Sequence, residues 1–297
     1  MKILLTGSNG FVGSFLRQHF NNKGYQVRRL VRSKPQDEDQ FSWSPSEQKL
    51  DEKALEGIDV VIHLAGENIL GIWTQKKKNA IMESRRQGTK LIAQKMSEME
   101  KPPKLLISAS AIGFYGDNGD RFVDETDKKG NGFLVDVCDE WEKATSVAKE
   151  KDIRITNLRI GIVMGTSGGP LQKMLLPFKL GLGGRLGNGK QYVSWISIND
   201  IVGIIEHIID NKNVSGPINA CAPNPVTNQE MTKTLGKVLS RPTIFPVPRF
   251  VFKTLARQMS DEMLFSSTRA KPKKIMDSGY VFQHNFLQDA LQDLLKK

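Results

Sequence analysis

At 297 residues, with 39% hydrophobic and 25% charged residues, the chain has the make-up of a globular protein of one large or two modest domains, not of a disordered or fibrous one. No apolar run approaches the roughly 18 residues of a spanning helix, and Ile3-Leu4-Leu5 before Thr6-Gly7 is too short for a secretory signal, so a cytoplasmic protein is expected. Two cysteines, Cys138 and Cys221, without CxxC spacing exclude a disulfide scaffold or zinc site, and the net charge of +11 asks for either nucleic acid or an anionic small molecule.

The elements alternate from the start. Lys2–Thr6 is a short apolar run that stops at glycine, as a buried strand does. Helical spacing follows over Phe11–Phe20, ended by Gly24. A second strand is expected at Gln26–Arg32 and a third at Asp59–Leu64. A long helix over Thr74–Met99 stops at Pro102-Pro103; then come a strand at Lys104–Ser108, a helix at Phe133–Lys149 and a strand at Arg154–Arg159. Strands alternating with helices indicate right-handed βαβ units and a Rossmann-type, doubly wound parallel sheet of the α/β class. From Gly165 to Gly189 the chain turns glycine-rich and reads as loops around a short helix; Ile198–Ile209 is helical again. Six prolines punctuate Pro217–Pro248, and a basic tail ends in a helix over Leu287–Leu295. The expected division is a nucleotide-binding domain over 1–164, with 196–215 returning to it, and a small mixed substrate or lid domain from 165–195 and 216–297. Residues 231–297 carry 12 Lys/Arg against 5 Asp/Glu. With no nucleic-acid motif beside it, that excess reads as a solvated face, and neither nucleic acid nor membrane is expected as a partner.

Gly7-Ser8-Asn9-Gly10-Phe11-Val12-Gly13 lies between the first strand and the first helix. Gly7 suits the tight turn, Gly10 the close approach of backbone to a pyrophosphate, and Gly13 the packing of helix on strand; the helix N-terminus then offers free N–H groups to the anion. The position in the chain is what makes the spacing a dinucleotide signal. At the end of the second strand, where an acid would bind the ribose hydroxyls of NAD, the chain has Arg28, Arg29, Arg32, Ser33 and Lys34. A guanidinium there suits a 2′-phosphate, so NADP(H) is expected, with Arg32 and Ser33 at that phosphate.

TGSNGFVG, HLAGENI, SASAIGFYG and LRIGIVMG resemble the extended short-chain dehydrogenase/reductases, among them the nucleoside-diphosphate-sugar epimerases. FLVDVCDEWE, GPLQKMLLPFKLGLGGRLGNGKQYVSWISINDIV and the RP-x-x-x-PVP stretch are similar to an atypical "epimerase family" subgroup without an established reaction. The resemblance spans nearly the whole chain. It implies that Leu64, Ala65 and Gly66 pass beside the cofactor, that Ser108 and Ser110 end the fourth strand with Ser110 in the place of the catalytic serine, and that Gly187–Trp195 lies toward the substrate. Glu67, Asn68, Gln191 and Trp195 are the substrate-side candidates.

The Tyr-x-x-x-Lys pair of these enzymes, in which lysine tunes a tyrosine that moves the substrate proton, is absent. Distance from Ser110 and Arg159 places Leu134 at the tyrosine and Cys138 at the lysine; a one-turn shift gives Cys138 and Glu142. None of the four tyrosines has lysine four residues on. Tyr115 is then the candidate acid beside Ser110, with a capped core tyrosine as the equal alternative, and His63 reads as a buried strand residue. Ser197 stands where many relatives have histidine, which argues against imidazole chemistry there. Two functions follow: an NADP(H)-dependent, epimerase-like oxidoreductase acting on a carbonyl or sugar-nucleotide-like small molecule, for which an anionic substrate and a homodimer are both open, or a non-catalytic NADP(H)-binding sensor or regulatory module.

Overall fold

The computed structural model describes residues 1–296, with side chains except at 252–256. Eight strands form the central sheet: β1 (Lys2–Thr6), β2 (Gln26–Val31), β3 (Gln40–Ser44), β4 (Lys49–Leu50), β5 (Val60–His63), β6 (Leu105–Ala111), β7 (Arg154–Ile160) and β8 (Gly216–Ala220). Their spatial order is β8-β7-β6-β5-β1-β2-β3-β4, parallel throughout except for the β3–β4 edge. The order reverses between β1 and β5, which opens a crevice at their carboxyl ends.

Period-two burial sorts the strands onto two cores. Ile3 and Leu5 face helices α1 (Phe11–Asn22) and α5 (Ile198–Asp210) together with Leu16, Phe20, Ile201 and Ile205. Leu4, Val61 and Leu106 face the opposite way, onto Leu91, Ile92 and Met96 of α2 (Gln75–Glu98). Helix α3 (Phe133–Lys143) packs on that second face beside α2. A smaller unit has its own core, in which Leu171 and Phe178 of α4 (Gly169–Lys179), Met231 and Leu235 of α6 (Asn228–Leu239), Trp195, Leu287 and Leu291 meet.

Helix ends follow local chemistry. Thr74 caps α2 through Lys77 N, Ser197 caps α5 through Asp200 N, and Thr227 with Glu230 forms a capping box on α6. The α-helix over 133–143 is shorter than expected, because the chain continues from Ser146 to Lys151 as a 3₁₀ segment. Residues 216–220, expected in the smaller domain, belong to the central sheet: β8 pairs with β7 from Gly216↔Thr156 to Ala220↔Ile160. Pro217 in this strand is tolerated because β8 is an edge.

Candidate functional site

The glycine loop builds an anion cradle. Gly7 has φ +69°, and a Cβ there would lie 3.0 Å from both Leu64 C and Ala65 N. A Cβ on Gly13 would overlap the Gly7 carbonyl. Only glycine satisfies both demands. Gly10 occupies the N-cap of α1 without a capping side chain, and no acidic residue stands in the first turn. The amides of Phe11, Val12 and Gly13 therefore have no partner among the described residues and point out of the helix as a ready anion site. The Phe11 ring turns the other way, against the glycines at 165, 168 and 169, where added Cβ atoms would meet it at 2.5–2.9 Å.

Thr6 and His63 fix the facing loop. Thr6 Oγ1 accepts from Leu64 N and Ala65 N, each at 3.1 Å, so its own hydrogen goes to His63 Nδ1 at 2.7 Å. His63 Nε2 then carries the ring proton, buried without a partner. Complete burial, with Arg85 adding to it, pushes the imidazole down to about 3, so it is neutral and structural.

Of the arginines in and just after β2, Arg29 is tied to Asp37, and Arg28 lies over Phe41 with hydrogen bonds to Lys53 O and Glu56 O at 2.7 and 2.9 Å. Arg32 and Ser33 are exposed, and among the described residues Arg32 has no hydrogen bond or ion pair.

At the carboxyl end of the sheet, Ser110 of β6, Arg159 of β7 and Asn219 of β8 are register neighbours, so their side chains stand in one row. Glu142 of α3 closes the row from above. Arg159 grips it through Nε–Oε1 at 2.8 Å and a terminal nitrogen to Oε2 at 2.9 Å, and Ser110 Oγ donates to Oε1 at 2.7 Å. Tyr115 fills the other end: it accepts from Arg159 at 2.8 Å and donates to Asn219 Oδ1 at 2.8 Å, with 1% of its surface exposed. Of its two readings, this placement fits the capped core tyrosine. Its hydroxyl is spent, and burial raises its pKa further.

Leu134 and Cys138 face Gly113, whose added Cβ would lie 3.8 Å from Leu134 Cβ and 3.9 Å from Cys138 Sγ. Burial, reinforced by Glu142, pushes the Cys138 thiol up to about 12, which leaves it protonated and no nucleophile. Glu262 of α7 (Phe250–Met263) accepts from Leu134 N at 2.8 Å and so caps α3 from the second unit.

Two further expected substrate contacts are core residues. Trp195 is fully buried with its Nε1 on Asn224 O at 2.9 Å, and Gln191 is spent on Leu186 O and Leu264 O at 3.2 and 3.1 Å. Ser108 is fully buried beneath the crevice. Asn68 turns back onto Leu70 N at 2.9 Å, whereas Glu67 pairs with Lys77 at 2.6 Å, and this ion pair holds its carboxyl below the usual range. An imidazole does reach Ser197: His284, 87 residues away in sequence, lies 3.1 Å from its hydroxyl, buried beside Asp200. Sequence reading also passed over Arg85. It is the one charged residue on the buried stripe Ile81–Arg85–Thr89–Ile92 of α2, and that position was the available signal.

With this geometry in place, comparison with known proteins is decisive for ancestry. The model of the NAD dependent epimerase/dehydratase family matches residues 3–221. The chain belongs to that family. A second model, a domain of unknown function called DUF1731, matches 247–294. An epimerase family protein of Mycobacterium bovis is 36% identical over 97% of this chain and 96% of its own length; human epimerase family protein SDR39U1 is 32% identical over 99% and 100%. The crystal structure of the human protein, isoform 2 with NADPH, superposes with a TM-score of 0.92 at 30% identity, covering 99% of each chain. A nucleoside-diphosphate sugar epimerase from Corynebacterium glutamicum gives 0.83 at 33% identity, with 99% of this chain covering 58% of that one. This family member thus has the NAD(P)-binding fold, and its row of Ser110, Arg159 and Asn219 lies where that fold brings the strand ends together.

Proposed function

We propose that the chain binds NADP(H) and acts as an epimerase-like oxidoreductase on a carbonyl or alcohol carbon of a small molecule. The observation that carries this reading is the uncapped α1 N-terminus beneath the Gly7–Gly13 turn, with the unpaired Arg32 guanidinium at the end of the neighbouring strand. The three free amides and the helix dipole suit a pyrophosphate, and Arg32 suits a 2′-phosphate through charge-assisted hydrogen bonds. The NADPH in the human relative's structure supports the choice.

NADPH supplies a hydride donor when bound. Ser110 turns its hydroxyl hydrogen from Glu142 to the substrate oxygen and orients it, while Glu142, gripped by Arg159, fixes where Ser110 stands. The sealed hydroxyl of Tyr115 and the protonated thiol of Cys138 favour a second reading, a non-catalytic NADP(H) sensor, because neither can exchange a proton with a ligand. Nicotinamide absorbance, followed with NADPH and a panel of carbonyls, alcohols and sugar nucleotides, separates the two. Turnover that falls in Ser110→Ala supports the enzyme. Tight NADPH binding without turnover of any panel member gives the sensor, and no binding of either cofactor removes both.

A further inference from the structure

We infer that Arg85 is the docking cation for an oxyanion, a carboxylate or phosphate group, on the molecule handled beside the cofactor; this rests on the reading of the crevice given above. The guanidinium reaches from the buried stripe of α2 to the loop after β5. One terminal nitrogen donates to Glu67 O at 3.0 Å and Ile81 O at 3.1 Å, and the group lies 4.8 Å over the Trp141 ring. Those contacts fix its plane and use two of its five N–H donors. The remaining three, on Nε and the second terminal nitrogen, have no hydrogen-bond partner among the described residues, and neither atom is sealed from solvent. Gly66 makes the room: a Cβ there would lie 3.1 Å from Arg85 Cζ.

Among the described residues Arg85 also forms no ion pair, and Glu67 acts on it only at longer range. Glu67 is bound to Lys77, and Glu142 to Arg159 and Ser110. Cys138, the remaining acidic group facing it, is protonated. Arg32, Lys77 and Arg85 therefore share one carboxylate, Glu67. A half-buried, oriented guanidinium with free donors and no ion-pair partner of its own is a receptor for an oxyanion, and the fork favours a two-oxygen contact. Its stacking on Trp141 puts it beside α3.

Calorimetric titration of inorganic phosphate and of acetate into the intact protein, alone and loaded with NADPH, tests the assignment. Wild type should show saturable binding of one anion per chain. Arg85→Gln should weaken it about tenfold or more, as loss of a charge-assisted contact implies, and Arg85→Lys, which keeps charge and stem, should retain part of it. NADPH affinity should stay within about threefold in both variants. Anion binding unchanged in Arg85→Gln overturns the inference, as does its absence in wild type. Equal losses of anion and NADPH affinity also overturn it, since they would make Arg85 a cofactor residue. Because the anion is measured without NADPH too, failure of the cofactor reading is seen separately. Should Arg85→Gln fail to fold, full wild-type anion affinity in Arg85→Lys, without the fork, would count against the site.

Discussion

Ser110 and Arg159 stand opposite each other in the β6–β7 register and meet on the same carboxylate oxygen of Glu142, at 2.7 and 2.8 Å. The Arg159 side chain is 4% exposed and that of Glu142 12%, so the pair is largely out of water. Its attraction must therefore be set against the desolvation of both ions, and intact pairs of this kind add little net stability. Breaking one is another matter, because the surviving charge stays buried. Glu142→Ala should lower the unfolding free energy by about 3–5 kcal/mol. Glu142→Gln, which keeps an acceptor for both neighbours, should lose less. Urea unfolding of the three proteins decides it; a Glu142→Ala protein as stable as wild type would mean that water reaches Arg159.

Tyr115 invites a comparison between stability and activity. Its hydroxyl bridges Arg159 and Asn219, both nearly or fully buried. Tyr115→Phe preserves the ring and removes only the bridge, leaving a buried acceptor and a buried donor unsatisfied. A loss of about 1–3 kcal/mol is expected, with NADPH affinity unchanged. A variant of wild-type stability that has lost turnover on an identified substrate would restore Tyr115 to the chemistry.

How far the sequence discloses this arrangement depends on the range of the interaction. Lys2–Thr6 and Leu287–Leu295 are legible to the residue, because glycine or a local apolar pattern bounds them. The strands Gln40–Ser44 and Gly216–Ala220 are not: each is an outer strand whose short apolar pattern carries meaning only once its partner, β2 or β7, is in place. The glycine cradle is readable because its constraint is local backbone. The polar row is not, since Ser110, Arg159 and Asn219 become neighbours only through the sheet register. For the same reason Trp195 and Gln191 read as cleft residues: a polar, aromatic segment looks alike whether its side chains face ligand or, as here, the core of the second unit.

Arg32 sets the cofactor prediction. Of the three arginines in and just after β2, Arg28 and Arg29 are engaged elsewhere in the protein, and Arg32 alone is uncommitted. Arg32→Ala should therefore weaken NADPH binding about ten- to a hundredfold and leave NADH binding nearly unchanged, the size of a lost charge-assisted contact. Titration calorimetry with both cofactors reads it directly. Equal loss for the two would place Arg32 on a group they share.

His63 makes the stability of the protein depend on pH. In the native state its imidazole is fully buried, accepts the Thr6 hydroxyl at Nδ1, and is held at about 3 against an ordinary 6.5. Below about pH 6.5 the unfolded chain takes up a proton that the folded chain refuses, so protonation favours unfolding. Stability that is complete above the ordinary value is lost as pH falls from 6.5 toward 3, with a slope that approaches about 1.4 kcal/mol per pH unit. Many carboxylates also titrate at the lower end of that window, so the comparison needs a variant. His63→Asn retains an acceptor for Thr6 and removes the titration. Between pH 6.5 and 4.5 its unfolding free energy should fall less steeply than that of wild type, even though it starts lower at pH 7 because of the volume removed from the core. Urea unfolding at half-unit intervals measures both slopes. Parallel curves would show that the native state accepts a proton on His63, and with it that the Thr6 hydrogen bond opens before the fold does.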